Sequence, residues 1–353
     1  MKNFLIALIG LMLFCSHPVR SQITVRVEPS ETVELITVMM YLTGHPAYNQ
    51  RSLWTEYRTL LDSEFGGFRD HSSIRFIQKL RDDELINTID LPAEIAVNSE
   101  MRDGRFYHSG EITTFEGMKW KAKVRRQFIR EVNKFYRDSG FSDFYRMAVE
   151  TYKPFQEVYS AEYLPKSMLT WIEEFVPVKD SVLYHLNLSF VCGGCNYGVP
   201  KGGIPNPVMG IFNIDEFLTT PPEGVYTYST LALHEFMHPF CNPLIDRYYT
   251  ELHPYGKTLY PVEEDAEGPY PTWKIALYES FVRATVVAFM QTDDFLKDYV
   301  DMNLEEDMEY GFYWVGDLAE LLLKYQAQRD KYPTLDSFMP EIVNFYNELA
   351  ATI

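Results

Sequence analysis

The sequence predicts an α+β fold that is mainly helical, with a small sheet near the middle of the chain. Residues 30 to 138 contain repeated stretches with the apolar spacing of amphipathic helices. Near residue 180 the spacing changes to the alternation of a strand, and helical spacing returns at about Thr227. An apolar content of 46% and an aromatic content of 15% suffice for a large core, which excludes a mainly disordered chain.

The first 21 residues are typical of a secretory signal peptide. Lys2 precedes an unbroken apolar run, residues 4–14, which is shorter than the roughly 20 residues of a membrane-spanning helix. The small residues before position 22 fit cleavage after Ser21. A lipid anchor at Cys15 is the alternative, and the bulky residue before that cysteine disfavours it. We therefore expect a mature chain, residues 22–353, that is exported to the periplasm or secreted.

Residues 22–175 are predicted to form a large helical N-terminal half. Helical spacing covers four segments, residues 30–44, 47–63, 71–86 and 118–138. In the last segment apolar residues recur every four positions, and eight lysines and arginines cover the remaining surface. We interpret this basic surface as a solvated helix face, and a docking face is the alternative.

Residues 176–353 are predicted to hold the sheet and the remaining helices of the same single domain. Two strands are expected, residues 181–191 and 207–214, on either side of a glycine-rich turn with the sequence CGGCNYG. The second strand is placed at the edge of the sheet, where it precedes a helix. Further helices are expected near 310–329 and 335–350, and neither an internal repeat nor a long linker divides the chain.

The chain is strongly acidic, which argues against a nucleic-acid-binding function. It has 32 Lys and Arg against 50 Asp and Glu, for a formal net charge of -18. Proteins that bind nucleic acids normally present a basic surface to the phosphates. No segment after the N-terminal run reaches about 18 consecutive apolar residues, so no transmembrane segment is expected in the mature chain. The oligomeric state stays open.

The sequence HEFMH at residues 234–238 predicts a metal centre. His234 and His238 are four positions apart, so on a helix both imidazoles lie on one face and can reach a single Zn²⁺. Glu235 is placed to take a proton from a water molecule activated by the metal.

A third protein ligand is expected on a later helix. Glu279 lies 41 residues after His238, within an apolar helical segment, and would complete a site of two histidines and one glutamate with a fourth position open. The alternative is an exposed carboxylate paired with Arg283, one turn further on. Arg283 is otherwise expected to orient Glu279 or to bind substrate.

The transition state of such a site also needs a hydrogen-bond donor for its oxyanion. Four residues that follow the motif are candidates, with a role as a core or surface aromatic as the alternative for each: Tyr248, Tyr249, His253 and Tyr255. The motif helix itself is expected to kink or stop just after His238, because Pro239 lacks the N–H that would bond to Glu235 and Pro243 follows soon after.

Several segments resemble an uncharacterised family of exported bacterial proteins, many from gut Bacteroidetes, that carry a gluzincin-like HExxH site. The resemblance rests on residues 33–49, 234–244 (HEFMHPFCNPL), 278–284 (YESFVRA) and 332–346. It implies a zincin-like fold with a small sheet before the HExxH helix. It also implies that His234, His238 and Glu279 hold zinc, that Glu235 is the base, and that Arg283 belongs to the second helix of the site.

The other metal-binding residue types are given structural roles. Cys192, Cys195 and Cys241 are interpreted as incidental thiols at and near a turn, with a disulfide or a metal or redox site as alternatives. The acidic residues 262–268 lack the spacing of a calcium loop and are expected to be solvated. Four histidines are expected to be packed or hydrogen-bonded: His45, His71, His108 and His185.

These features predict an exported zinc metallopeptidase that hydrolyses a peptide or protein substrate by means of a metal-activated water. Two alternatives stay open. One is a zincin-like protein that binds a surface protein or glycan without turnover, and the other is a zinc amide hydrolase acting on cell-wall peptides. The intact Glu235 disfavours the binding-only alternative, because zinc retention requires no base at that position.

Overall fold

The computed structural model describes residues 22–50, 54–86, 89–114, 117–176, 181–261 and 270–353. The predicted signal peptide and the acidic residues 262–268 lie outside this described part. Within it the chain is mainly helical with a small sheet, as the sequence predicts. The helices are α1 Glu31–Leu42, α2 Thr55–Phe65, α3 Ser72–Asp82, α4 Leu91–Val97, α5 Ala122–Asp138, α6 Phe141–Val158, α7 Lys166–Phe175, α8 Ile214–Thr219, α9 Pro222–Leu252, α10 Gly256–Leu259, α11 Trp273–Met290, α12 Val300–Glu309, α13 Val315–Ala327 and α14 Leu335–Ala351.

The strands form one four-stranded sheet and two short hairpins. Their bounds are β1 Ile23–Pro29, β2 Ser99–Arg102, β3 Arg105–His108, β4 Val182–Ser189, β5 Asn196–Tyr197, β6 Pro200–Lys201, β7 Ile204–Pro205 and β8 Val208–Gly210. The sheet has the order β1-β4-β8-β5. Strands β1 and β8 run parallel to β4, whereas β5 runs antiparallel to β8.

The predicted helices of the N-terminal half are confirmed with shifted ends. The segment 30–44 becomes α1, and 118–138 becomes α5. In the described part of the segment 47–63, a short 3₁₀ turn at Pro46–Tyr48 precedes helix α2, which begins at Thr55, and 71–86 shortens to α3. Helix α1 is buried along almost its whole length, and eight of its twelve residues are hydrophobic.

Strand β1 was not predicted, although it pairs with β4 along its full length. Its register joins Ile23 to Val182 and Val27 to Leu186. The alternation in ITVRVEP is short, and a parallel partner about 160 residues away leaves no local signal such as a tight turn. The N-terminal half therefore contributes a strand to the sheet as well as helices.

The prediction of an edge strand at residues 207–214 is wrong. Strand β8 covers only Val208–Gly210 and lies between β4 and β5, so the short strand β5 forms this edge of the sheet. The turn at residues 192–195 folds back over β8, where Gly210 leaves no room for a side chain. A Cβ atom at Gly210 would lie 2.0 Å from the carbonyl oxygen of Gly193.

The motif helix does not stop after His238, which the sequence predicted as one outcome of Pro239, the other being a kink. Helix α9 begins at Pro222, before Thr227, and continues through Pro239 and Pro243 to Leu252. A proline costs a helix one backbone hydrogen bond, yet buried side chains after Pro239 hold α9 in place. These include Cys241, Leu244, Ile245 and Leu252.

Candidate metal centre

Helices α9 and α11 bring two imidazoles and one carboxylate to a common point. Nε2 of His234 and Nε2 of His238 are 3.0 Å apart. The two carboxylate oxygens of Glu279 lie 3.4 Å from Nε2 of His234 and 3.6 Å from Nε2 of His238. Ligands about 2.0–2.1 Å from a tetrahedral zinc ion are separated by roughly 3.3–3.4 Å. The donor set and its spacing therefore fit a zinc ion.

The electrostatics of these three side chains also suit a metal ligand set. Burial lowers the pKa of His234 to about 4, so this imidazole is neutral at neutral pH and has a free lone pair. Burial alone would raise the pKa of Glu279. The hydrogen bond with His234 and the charges of His238 and Arg283 outweigh burial and lower it to about 2. Because His234 is neutral at neutral pH, its contact with Glu279 is not an ion pair there.

Asn242 fixes the ring of His238. Its Oδ1 atom lies 3.2 Å from Nδ1 of His238, one helical turn away on α9. An oxygen at this position favours the tautomer with the proton on Nδ1, which leaves the Nε2 lone pair directed at Glu279 and His234. In the sequence, Pro243 indicates only a kink or a helix end, and no role was predicted for Asn242. The four-residue spacing from His238 was the signal that would have found this role.

Glu235 lies beside the ligand atoms and is almost fully buried. It is 6% exposed, and one of its carboxylate oxygens lies within 4.8 Å of ring nitrogens of His234 and His238. Burial raises its pKa to about 7, with Glu279 and Asp90 adding to the increase and His238 and Arg283 opposing it. A carboxylate with a pKa near neutrality can both accept and return a proton at neutral pH.

The backbone after β5 forms one wall of the site. A Cβ atom at Gly198 would lie 2.7 Å from Cβ of His238 and 2.8 Å from the carbonyl oxygen of Glu235. Only a residue without a side chain permits this approach. The carbonyl of Glu235 lacks its usual helical hydrogen bond, because the partner residue, Pro239, has no N–H. This carbonyl lies against Gly198, in the loop after strand β5.

Arg283 lies one turn beyond Glu279 and does not hydrogen-bond to it. Its guanidinium instead forms an ion pair with the buried Asp307 and donates from Nη2 to the hydroxyl of Tyr270 at 2.9 Å. It is stacked 4.9 Å from the ring centre of Tyr310. Because the Tyr270 hydroxyl accepts this bond, its own proton remains available to another acceptor. The sequence contained no local signal for Tyr270 or Asp307.

The structure does not bring the other predicted donors to the metal ligands. Tyr248 and Tyr249 lie on α9 about 15 Å of helix rise beyond His238, and His253 lies about 22 Å beyond it. The Tyr248 hydroxyl is near the backbone carbonyl of Asp336, and the rings of Tyr249 and His253 pack edge to face. Tyr248, Tyr249 and His253 are too far from His238 to stabilise an oxyanion there, since α9 continues to Leu252. Tyr255 lies in the same 3₁₀ turn as His253.

The remaining thiols and histidines have structural surroundings. Cys192, Cys195 and Cys241 are unpaired, and burial raises the pKa of each thiol, which makes all three poor nucleophiles. Cys195 accepts a hydrogen bond from Gln50. The four other histidines have hydrogen-bonding partners: the N–H of Ala47 for His45, the N–H of Ser73 and Asp138 for His71, Ser99 for His108, and Glu28 for His185.

Comparison with known families places the chain in one family. The chain belongs to the family described as domain of unknown function DUF4932, whose profile matches residues 23–345. No curated protein and no solved structure matches the chain. In the described residues, every helix is too short or too polar to cross a membrane.

Proposed function

We propose that this chain is an exported zinc metallopeptidase of gluzincin type with a zincin-like fold. The observation that carries the proposal is the convergence of the His234 and His238 Nε2 atoms with the Glu279 carboxylate, at distances of 3.0 to 3.6 Å. The resemblance of the motif segments to exported bacterial HExxH proteins supports the same assignment. The apolar run at the N-terminus supports export.

The roles of the protein side chains follow from their positions. His234, His238 and Glu279 would hold zinc, which supplies a Lewis acid for the scissile carbonyl and lowers the pKa of water. Glu235 accepts the proton of the attacking water and returns it to the leaving amine, a transfer for which a pKa of about 7 is suited. Asn242 keeps His238 in the ligating tautomer.

Tyr270 is the donor that we assign to the oxyanion. Its hydroxyl is held by Arg283, which lies one turn from Glu279, and that contact leaves the phenolic proton free. The ion pair of Arg283 with Asp307 fixes the guanidinium from the other side. Arg283 is therefore a positioning residue for Tyr270, and it contributes positive charge beside the site.

A peptide substrate has one sheet edge available next to the site. Strand β5 forms the edge of the described sheet, and Gly198 follows it at the wall formed against His238. An extended peptide that pairs with this edge would add a strand and pass over the ligand atoms. The recognition edge in this proposal is β5, which lies one strand beyond residues 207–214, the segment predicted to form the edge of the sheet.

The first experiment is metal analysis of purified residues 22–353. We expect one zinc per chain, and loss of that zinc in His234→Ala. The matched control is His253→Ala, which removes an imidazole from the far end of α9 and should retain zinc. Absence of stoichiometric zinc in the unmodified chain would reject the metal centre.

The second experiment separates an enzyme from a zinc protein without turnover. The zinc-loaded chain is incubated with a peptide library and with cell-wall peptides, with and without a chelator. Chelator-sensitive cleavage of ordinary peptide bonds supports the proposal. Cleavage confined to cell-wall peptides would favour the amide hydrolase alternative, and zinc retention without any cleavage would favour the binding protein.

A further inference from the structure

Helix α5 presents a stripe of cations on an otherwise acidic protein. Five basic residues fall within roughly 80° of one another around the helix axis and extend over about 21 Å. They are Lys123, Arg126, Arg130, Lys134 and Arg137. The buried face of α5, with Phe128, Val132 and Phe135, lies on the opposite side, so the stripe is on the outer surface of the N-terminal half.

Three of the five cations have no partner in the part of the chain that the structure describes. Lys123, Arg126 and Arg130 are exposed, and no described hydrogen bond or ion pair includes them. Lys134 contacts the hydroxyl of Ser72, and Arg137 pairs with its neighbour Asp138. Exposed lysines without an ion pair also occur singly in the described residues, as at Lys166, Lys257 and Lys324. What distinguishes α5 is that its cations share one face of a single helix.

The charges are unevenly distributed between the two halves. Residues 22–175 contain 20 Lys and Arg and 24 Asp and Glu, whereas residues 176–353 contain 10 and 26. The metal ligands and Glu235 lie in the strongly acidic half, and the stripe lies in the nearly balanced half. A polyanion would therefore be attracted to α5 and repelled from the surface that carries the candidate metal centre.

We propose that the α5 stripe is a docking surface for a linear anionic polysaccharide. Successive cations are separated by three or four residues, which is a rise of about 4.5 to 6 Å. A polymer with a carboxylate or sulfate on successive sugar rings presents charges in a comparable linear series. Such a surface would keep the protein on an anionic matrix with its candidate active site free.

The side chains around the stripe distinguish this partner from two other polyanions. A membrane-surface helix inserts Trp, Phe or Leu between its cations, and single-stranded nucleic acid is held by exposed aromatic rings. On α5 the aromatic residues Phe128, Phe135 and Tyr136 are all buried, and Lys and Arg alone occupy the stripe. Binding by charge alone, along a line, fits a flexible sugar polymer better than a lipid surface or bases.

The test compares two variants with the same net charge. Lys123→Glu, Arg126→Glu and Arg130→Glu reverse the three unpartnered cations. The control reverses three exposed lysines elsewhere, Lys166→Glu, Lys257→Glu and Lys324→Glu, so that both variants become more negative by six. Folding of each is checked by circular dichroism and by the unfolding midpoint. Binding to heparin and to polygalacturonate is measured by calorimetry at about 50 mM and at higher salt.

We expect the unmodified chain to bind at least one of the two polysaccharides, with an affinity that falls as salt rises. The stripe variant should lose about tenfold affinity or more, and the control should stay within about threefold of the unmodified chain. Equal losses in both variants, no binding at low salt, or tighter binding to phosphatidylglycerol vesicles or to an oligonucleotide would each overturn the proposal.

Discussion

Two buried glutamates, one in each half of the chain, have the same raised pKa and opposite surroundings. Glu34 on α1 is 1% exposed, and Glu235 on α9 is 6% exposed. Burial raises the pKa of each to about 7. The Glu34 carboxyl accepts hydrogen bonds from Tyr57 at 2.5 Å and Tyr152 at 2.8 Å. No described group hydrogen-bonds to the Glu235 carboxylate, which faces the nitrogens of His234 and His238 instead.

The comparison shows that a raised pKa does not by itself mark a reactive group. The two tyrosine hydroxyls occupy the Glu34 oxygens, and the same Tyr152 hydroxyl accepts from the backbone N–H of Phe190, so this network is closed. Glu235 has oxygens that remain open toward converging ligand atoms. A reactive role requires carboxylate oxygens that no hydrogen-bond donor occupies, as in Glu235. Glu34 serves instead as a core contact between α1, α2 and α6.

The largest expected difference between the two glutamates is in catalysis. Glu235→Gln removes the base and should lower kcat about 1,000-fold while zinc content stays at one per chain. Glu34→Gln should retain kcat within a few-fold, because its carboxyl does not contact the site. Both are measured with a peptide cleaved by the unmodified chain. Equal activities for the two variants would contradict the role given to Glu235.

The next largest effect is on stability and concerns Glu34. Its folded pKa of about 7 lies above its ordinary value of 4.5, so the folded state binds the proton more tightly. The stabilisation is complete below about pH 4.5 and is lost as pH rises through 7. This difference corresponds to roughly 3 kcal/mol.

Glu34→Gln should remove that dependence. Denaturant unfolding of the metal-free unmodified chain should show a steeper loss of unfolding free energy between pH 5 and 8 than the variant shows. Glu235 titrates in both chains, so its contribution cancels in the comparison. Parallel pH profiles for the two chains would show that Glu34 is not the group that titrates.

A smaller effect, on zinc affinity, is expected for Asn242, the residue that orients His238. Asn242→Ala removes the oxygen bonded to Nδ1 of His238, and zinc affinity should fall about 10- to 100-fold. Competition with a chromogenic chelator measures the affinity. The matched control is Asn344→Ala on α14, where a helical asparagine also bonds one turn along, to Glu348. Unchanged zinc affinity in Asn242→Ala would remove this residue from the site.

The smallest effect is expected for the oxyanion donor. Tyr270→Phe should lower kcat about tenfold with zinc affinity and KM little changed, because it removes one hydrogen bond made in the transition state. Tyr278→Phe is the control, since that hydroxyl donates to Asp246 on the surface. A loss that appears in KM alone would indicate substrate binding by Tyr270 instead.

Local patterns predicted the elements and part of the site. The four-residue spacing of His234 and His238 requires only a helix, and periodic apolar positions identified α1, α5, α13 and α14 within a few residues. The parallel pairing of β1 with β4 escaped prediction, because its partners are far apart in sequence. The candidate oxyanion donors were chosen because they follow the motif closely in sequence. They lie far from it in space, because α9 continues as a helix to Leu252.

The sequence by itself determined that a helix would present two imidazoles and a neighbouring carboxylate on one face, since helix geometry sets those positions within one turn. Tertiary structure decided which distant residues meet them. The packing of α11 on α9 brings Glu279 to the histidines, and burial decides that Glu235 has a pKa near 7. It also directs Arg283 to Asp307 and Tyr270. These contacts arise from packing between elements, and no local pattern of residues encodes such long-range contacts.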